Sequence, residues 1–85
     1  MPVRLVYFAW VRERIGKTDE EVDLPEGIST VADLVAWLKA RGEEYEYAFE
    51  NGGIVRAAVD HVHVKSDARV AGAREVAFFP PMTGG

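Results

Sequence analysis

The 85 residues include no cysteine, no glutamine and a single asparagine, Asn51. Without cysteine the chain forms no disulfide, supplies no thiolate to a metal or a substrate, and holds no persulfide on a side chain. The missing glutamine and lone asparagine match the depletion of heat-labile residues in proteins of hot environments. No apolar run approaches the roughly 20 residues that cross a bilayer. Met1-Pro2-Val3-Arg4 passes straight into a strand-like segment, without the basic, apolar and small-residue zones of a signal peptide. A cytoplasmic protein with no membrane partner is therefore expected. Ten Lys and Arg are scattered among fourteen Asp and Glu, for a formal net charge of -4. A nucleic-acid backbone finds no basic footprint on such a chain, and nucleic acid is not an expected partner.

What is present is the material of one small globular domain. The chain is 48% hydrophobic and 28% charged, a balance typical of folded rather than disordered sequences. A domain of this size keeps a net stability on the order of 4 to 13 kcal/mol, so most apolar residues must be buried and few are spare for an internal cofactor pocket.

Val3 to Trp10 is a β-branched and aromatic run that reads as a strand. Alternation puts Val3, Leu5 and Tyr7 on one face and Arg4, Val6 and Phe8 on the other; the arginine marks the wetter side, so Phe8 is expected to point outward. Val11 to Ile15 has room for one helical turn ended by Gly16, and Glu21 to Leu24 reads as a second strand before Pro25-Glu26-Gly27 turns the chain. The clearest helix follows. Thr30 and Asp33 form a capping box, Val31, Leu34, Val35 and Leu38 recur at helical spacing, and Lys39, Arg41 and Gly42 close it. Glu43 to Glu50 repeats the spacing weakly through Tyr45, Ala48 and Phe49, and Asn51-Gly52-Gly53 reads as a loop. Ile54 to Val59 and Val62 to Val64 read as a hairpin closed at Asp60-His61, residue types that tolerate positive φ. Glu75 to Phe79 is a last strand, with Val76 and Phe78 on one face and Ala77 and Phe79 on the other. The expected architecture is α+β, a mixed sheet with one main helix packed on one face. Residues 1–79 form the domain and residues 80–85 an extended tail.

Few residues invite chemistry. His61 and His63 have metal-like spacing, but no third or fourth ligand is near in sequence, so no metal site is expected and a solvated turn and strand edge is the simpler reading. Ser29, Thr30, Ser66 and Thr83 lack a histidine and acid in triad order. Trp10 and Trp37 read as packing residues, and Gly52-Gly53 lacks the lysine and helix of a phosphate loop.

The C-terminus is different. Pro80 and Pro81 stiffen the exit from the sheet, so the six residues Pro80-Pro81-Met82-Thr83-Gly84-Gly85 can reach roughly 18 to 20 Å at about 3.1 to 3.3 Å each. Gly84 and Gly85 carry no side chains and so fit a channel too narrow for any other pair, although terminal glycines also suit a frayed end. A terminal carboxylate is a poor electrophile and must be activated, for instance as an acyl-adenylate made with ATP by a separate enzyme. It can then accept sulfur or an amine. With no cysteine, any sulfur this chain carries sits on the terminus.

Three segments, Phe8-Ala9-Trp10-Val11-Arg12-Glu13, Ala57-Ala58-Val59-Asp60 and Val76-Ala77-Phe78-Phe79-Pro80-Pro81-Met82-Thr83-Gly84-Gly85, resemble those of the MoaD family, the small subunit of molybdopterin synthase. The F-F-P-P-x-T-G-G ending is the most specific part and separates this chain from thiazole-pathway carriers. The resemblance implies a ubiquitin-like β-grasp fold and a thiocarboxylate on Gly85, with Gly84 the slim neck behind it. It implies an adenylating partner of MoeB type that uses ATP, a large subunit of MoaE type, and a pterin substrate that gains two sulfurs within that complex. By the same resemblance the carrier itself would bind no cofactor and would be non-catalytic alone. Pro80, Pro81, Met82 and Thr83 would line the partner's channel, Phe8 and Phe79 would form the docking surface, and Arg12 falls on the family's R-E pair. The alternative is a ubiquitin-like modifier, or a sulfur carrier for tRNA thiolation or thiazole synthesis.

Overall fold

A computed structural model of the chain describes residues 2–50 and 54–81. The Asn51-Gly52-Gly53 loop lies outside the described residues, as do Met82, Thr83, Gly84 and Gly85. In chain order the elements are β1 (Pro2–Tyr7), α1 (Ala9–Ile15), β2 (Asp19–Asp23), α2 (Val31–Lys39), α3 (Glu43–Ala48), β3 (Arg56–Val59), β4 (Val62–Val64) and β5 (Glu75–Phe79). The strands form one mixed sheet in the order β2-β1-β5-β3-β4. β1 and β5 lie parallel at its centre, and every other pairing is antiparallel.

The strand faces follow the alternation in the sequence. Val3, Leu5 and Tyr7 are buried with Val76 and Phe78, and Val11, Ile15, Leu34, Leu38, Tyr45, Ala48 and Phe49 from the helices complete the same core. All three helices thus contribute to one side of the sheet, and α2 is the longest of them. Phe78 anchors the centre, stacked on Tyr7 and edge-on to Phe49. Trp10 and Trp37 pack partly buried against this core, as packing residues should. The capping box of α2 forms as read: the Asp33 N–H donates to Thr30 Oγ1 at 3.2 Å, and the Thr30 N–H donates to Asp33 Oδ2 at 3.1 Å.

Several boundaries differ from the sequence reading, each for a tertiary reason. α1 starts at Ala9 rather than Val11, because Phe8 stays extended and its carbonyl accepts from the Val11 and Arg12 N–H groups. The Gly16 C-cap is left-handed with φ 85°, as a glycine there allows. β2 begins at Asp19, since Val6 of β1 reaches far enough to pair with it. β3 begins at Arg56, not Ile54, because its partner Phe79 is the last residue of β5 and Pro80, next in that strand's path, has no N–H to extend the ladder. The hairpin turn is as expected, with Asp60 at φ 48° and His61 at φ 72°. The Asp60 carboxylate also accepts from the Arg74 and Glu75 N–H groups at 2.9 and 3.0 Å, tying the turn to the start of β5.

One polar cluster clamps the β1–β2 edge to α3. The Glu20 carboxylate accepts from the Tyr7 hydroxyl at 2.8 Å and the Tyr45 hydroxyl at 2.6 Å, and pairs with Lys17 and Arg41. Partial burial pushes the Glu20 carboxyl up, but the two hydroxyls and two cations outweigh it and hold the group below the usual glutamate range. Burial, followed by the bond to Glu20, pushes the Tyr7 hydroxyl far up, so it stays a neutral donor.

Candidate functional site

The face of the sheet away from the helices carries Arg4, Val6, Ala58, Ala77 and Phe79, the alternate residues of β1, β3 and β5. Small residues at its middle, Ala58 and Ala77, leave a shallow floor between the larger side chains. Phe8 stands at the end of β1, where its N–H donates to the Phe78 carbonyl at 3.0 Å and so fixes it beside the end of β5. Phe8 is 47% exposed, an arrangement that costs burial energy unless something covers it. Phe8 and Phe79 line one hollow on this face together with His63, whose ring centroid is 4.9 Å from that of Phe79.

The backbone helps to present Phe8. Ala9, the next residue, has φ 51°, a left-handed conformation that costs a residue with a Cβ about 1 to 2 kcal/mol. This turn sends α1 away toward the core side and leaves Phe8 at the corner. Arg12 is exposed one turn further along α1, in its last turn, and does not line the hollow. Pro80 and Pro81 follow β5 without strand structure, and Pro81 lines a cleft with Phe79, Arg56, His63 and Lys65.

Of the residues singled out from sequence, the structure brings Phe8 and Phe79 to one hollow and puts Pro81 in the adjoining cleft with Phe79, while Pro80 links the two in the chain and lines neither. The fold sets Arg12 to one side. The roles assigned to Met82, Thr83, Gly84 and Gly85 fall outside the described residues. Sequence reasoning did not connect His63, Arg56 or Lys65 with this site. The signal was present in the hairpin reading: pairing Val59 with Val62 puts His63 opposite Ala58, on the same face as Ala77 and Phe79. His61, in the turn, is 84% exposed and 3.6 Å from Glu75. Among the described residues no group of three His, Asp or Glu could hold a metal ion. This hollow, apolar at Val6, Phe8, Ala58, Ala77 and Phe79 and rimmed by Arg4, His61, His63 and Glu75, lies beside the end of β5, where the chain continues into Pro80 and Pro81.

Residues 5–85 match the model of the ThiS family. The chain belongs to the ThiS family. Within that family's reach, the chain is 38% identical over 85 residues to the molybdopterin synthase sulfur carrier subunit of Escherichia coli, covering 98% of this chain and 99% of that protein. It is 29% identical over 83 residues to the protein of the same name from Haemophilus influenzae, covering 98% of this chain and 99% of that one. Among solved structures, a Pyrococcus furiosus chain described as a candidate molybdopterin converting factor, subunit 1, superposes with a TM-score of 0.74 at 31% identity, over 96% of this chain and 99% of that one. Haloferax volcanii small archaeal modifier protein 1 superposes with a TM-score of 0.71 at 21% identity, over 95% and 98%, and shares the fold. The fold is the ubiquitin-like β-grasp, α+β, as the MoaD resemblance implied.

Proposed function

We propose that this ThiS-family chain is the sulfur carrier subunit of a molybdopterin synthase, with the Gly85 carboxyl group as its working end. The observation that carries the reading is the match along the whole chain to the E. coli sulfur carrier subunit. The β1–β5 pairing adds to it, because it sets the apolar Phe8–Phe79 face where β5 hands the chain to Pro80. The chain is a donor rather than a catalyst. An adenylating enzyme of MoeB type joins the Gly85 carboxylate to the α-phosphate of ATP and releases pyrophosphate. A sulfur nucleophile then displaces AMP, leaving a thiocarboxylate. A large subunit of MoaE type receives the tail, and the sulfur passes to cyclic pyranopterin monophosphate while water restores the carboxylate. Two loaded carriers complete one dithiolene. Gly84 supplies the slim approach, Pro80, Pro81, Met82 and Thr83 run along the partner's channel, and Phe8 and Phe79 hold the docking face. Arg12, exposed beside that face on α1, contacts a partner at its margin.

The test is reconstitution of the purified chain with the activating enzyme, ATP and a sulfide source, followed by intact mass. The expected product has one oxygen replaced by one sulfur on the C-terminal peptide, and deletion of Gly85 abolishes it. An unchanged mass, or Gly85 found instead in isopeptide linkage to lysines of other proteins, would overturn the reading.

A further inference from the structure

The core stripe of α2 is Val31, Leu34 and Leu38. A second row on the same helix, Ala32, Val35, Ala36 and Lys39, forms one wall of a groove of about 580 Å³ between α2 and the open end of the β3–β4 hairpin. Val55, Val64 and Phe78 lie opposite. The segment after β4 ties down the helix N-terminus, with the Ala32 N–H donating to the Ser66 carbonyl at 2.9 Å and the Val31 N–H to the Ala68 carbonyl at 3.0 Å. The groove is thus built by fixed backbone on two sides, and its volume is in the usual range of binding sites.

Its charge is opposite to that of the chain. Lys39, Arg56 and Lys65 line it, while none of the fourteen acids does, in a protein of net charge -4. Among the described residues none of these three cations is ion-paired. They come from α2, β3 and the segment after β4, so they ring the groove instead of converging on one point. Carboxylates spaced along a peptide match that arrangement better than the single headgroup of a fatty acid. Ala32 and Ala36 are exposed and small, which lets a second backbone approach α2 closely. Arg56 and Lys65 also line the cleft with Phe79 and Pro81, so the groove adjoins the root of the tail.

We propose that this groove is a second docking site, separate from the Phe8–Phe79 face, for a partner's peptide segment in which aliphatic side chains alternate with Asp and Glu. The aliphatic side chains fill the space between α2 and the hairpin, and the carboxylates meet Lys39, Arg56 and Lys65. The groove shares Arg56 and Lys65 with the cleft beside Phe79 and Pro81, but its aliphatic walls on α2 and the hairpin take no part in the sulfur-transfer reading.

The test is titration of the 15N-labelled full chain with a short synthetic peptide alternating Leu and Val with Asp and Glu, followed by NMR. Saturable amide shifts are expected at Val35, Ala36, Lys39, Val64 and Lys65, and they weaken as salt is raised. The double variant Lys39→Glu, Lys65→Glu loses about tenfold or more in affinity, as expected when complementary charge is reversed. Ala36→Trp changes an exposed helix position, leaves the circular dichroism intact and blocks the groove. Arg74→Glu, which reverses one charge outside the groove where the double variant reverses two in its lining, leaves the affinity within about twofold. Any of four results overturns the proposal: no shifts at millimolar peptide, shifts centred on Phe8 and Phe79, an equal loss in Arg74→Glu, or the same shifts produced by laurate or by self-association and not by the peptide.

Discussion

Replacing Glu20 tests whether the clamp between the β1–β2 edge and α3 holds the sheet together as its geometry implies. In Glu20→Ala both tyrosine hydroxyls lose their carboxylate acceptor. Tyr45 keeps the Lys17 ammonium at 3.0 Å as a partner, whereas Tyr7, 1% exposed, keeps none among the described residues. A hydrogen bond to a charged group is worth about 1.5 to 3 kcal/mol, and a buried hydroxyl left unpaired costs about 1 to 3 kcal/mol. The ion pairs to Lys17 and Arg41 are partly exposed and add less than about 1 kcal/mol. The expected loss is about 2 to 4 kcal/mol, a large share of the roughly 4 to 13 kcal/mol available. At about 4 to 8 °C per kcal/mol, thermal unfolding should shift down by on the order of 10 to 30 °C. Glu20→Gln keeps the shape and one acceptor and should lose about 1 to 2 kcal/mol. The sign of the pH dependence follows from the depressed pKa of Glu20 in the folded state. Its stabilisation is fully present above the unfolded value, about 4.3, and is lost as pH falls through the lower folded value. The gap between wild type and Glu20→Gln in urea unfolding should therefore narrow as pH falls below about 4.3. A Glu20→Ala cost under about 0.5 kcal/mol, the range of ordinary surface changes, would refute the reasoning, as would a gap that does not change with pH.

Three further outcomes are expected. Phe8→Asp should leave unfolding almost unchanged because the residue is 47% exposed, yet weaken the complex with the large subunit about tenfold to a hundredfold by calorimetry, since burying a Phe contributes about 1.5 to 3 kcal/mol. Ala9→Gly should raise stability in denaturant by about 0.5 to 1 kcal/mol, because the φ of 51° penalises a Cβ and not a glycine; a loss would show that the helical position outweighs the strain. Thr30→Ala removes the acceptor of the Asp33 N–H and should cost about 1 kcal/mol by thermal unfolding, with Thr30→Ser largely restoring it.

Local pattern was sufficient wherever one short-range constraint decided the outcome. The period of two placed Val3, Leu5 and Tyr7 inside and left Phe8 exposed and Phe79 half-buried on the other face. The capping chemistry of Thr30 and Asp33 located the start of α2, and Asp60-His61 located the positive-φ turn. These features depend on residues within a few positions of one another, so the sequence contains all their physics. Of the candidate site, the outward place of Phe8 was legible in the same alternation, whereas the Gly84-Gly85 ending lies outside the described residues.

Pairing across the sheet decided the rest. Strand ends were set by partners far away in sequence: Arg56 opens β3 because Phe79 closes β5, and Asp19 opens β2 because Val6 reaches it. The left-handed Ala9 has no signature of its own and exists because Phe8 must stay hydrogen-bonded to Phe78 while α1 turns to the core. Glu20 reads as one acid in a polar run until folding brings Tyr7 and Tyr45, separated from it by 13 and 25 positions, to the same carboxylate. Lys39, Arg56 and Lys65 are likewise scattered in the chain and come to line one groove only on folding. A sequence specifies which face each residue presents, but long-range backbone pairing chooses which faces meet, and that choice created both the clamp and the cationic groove.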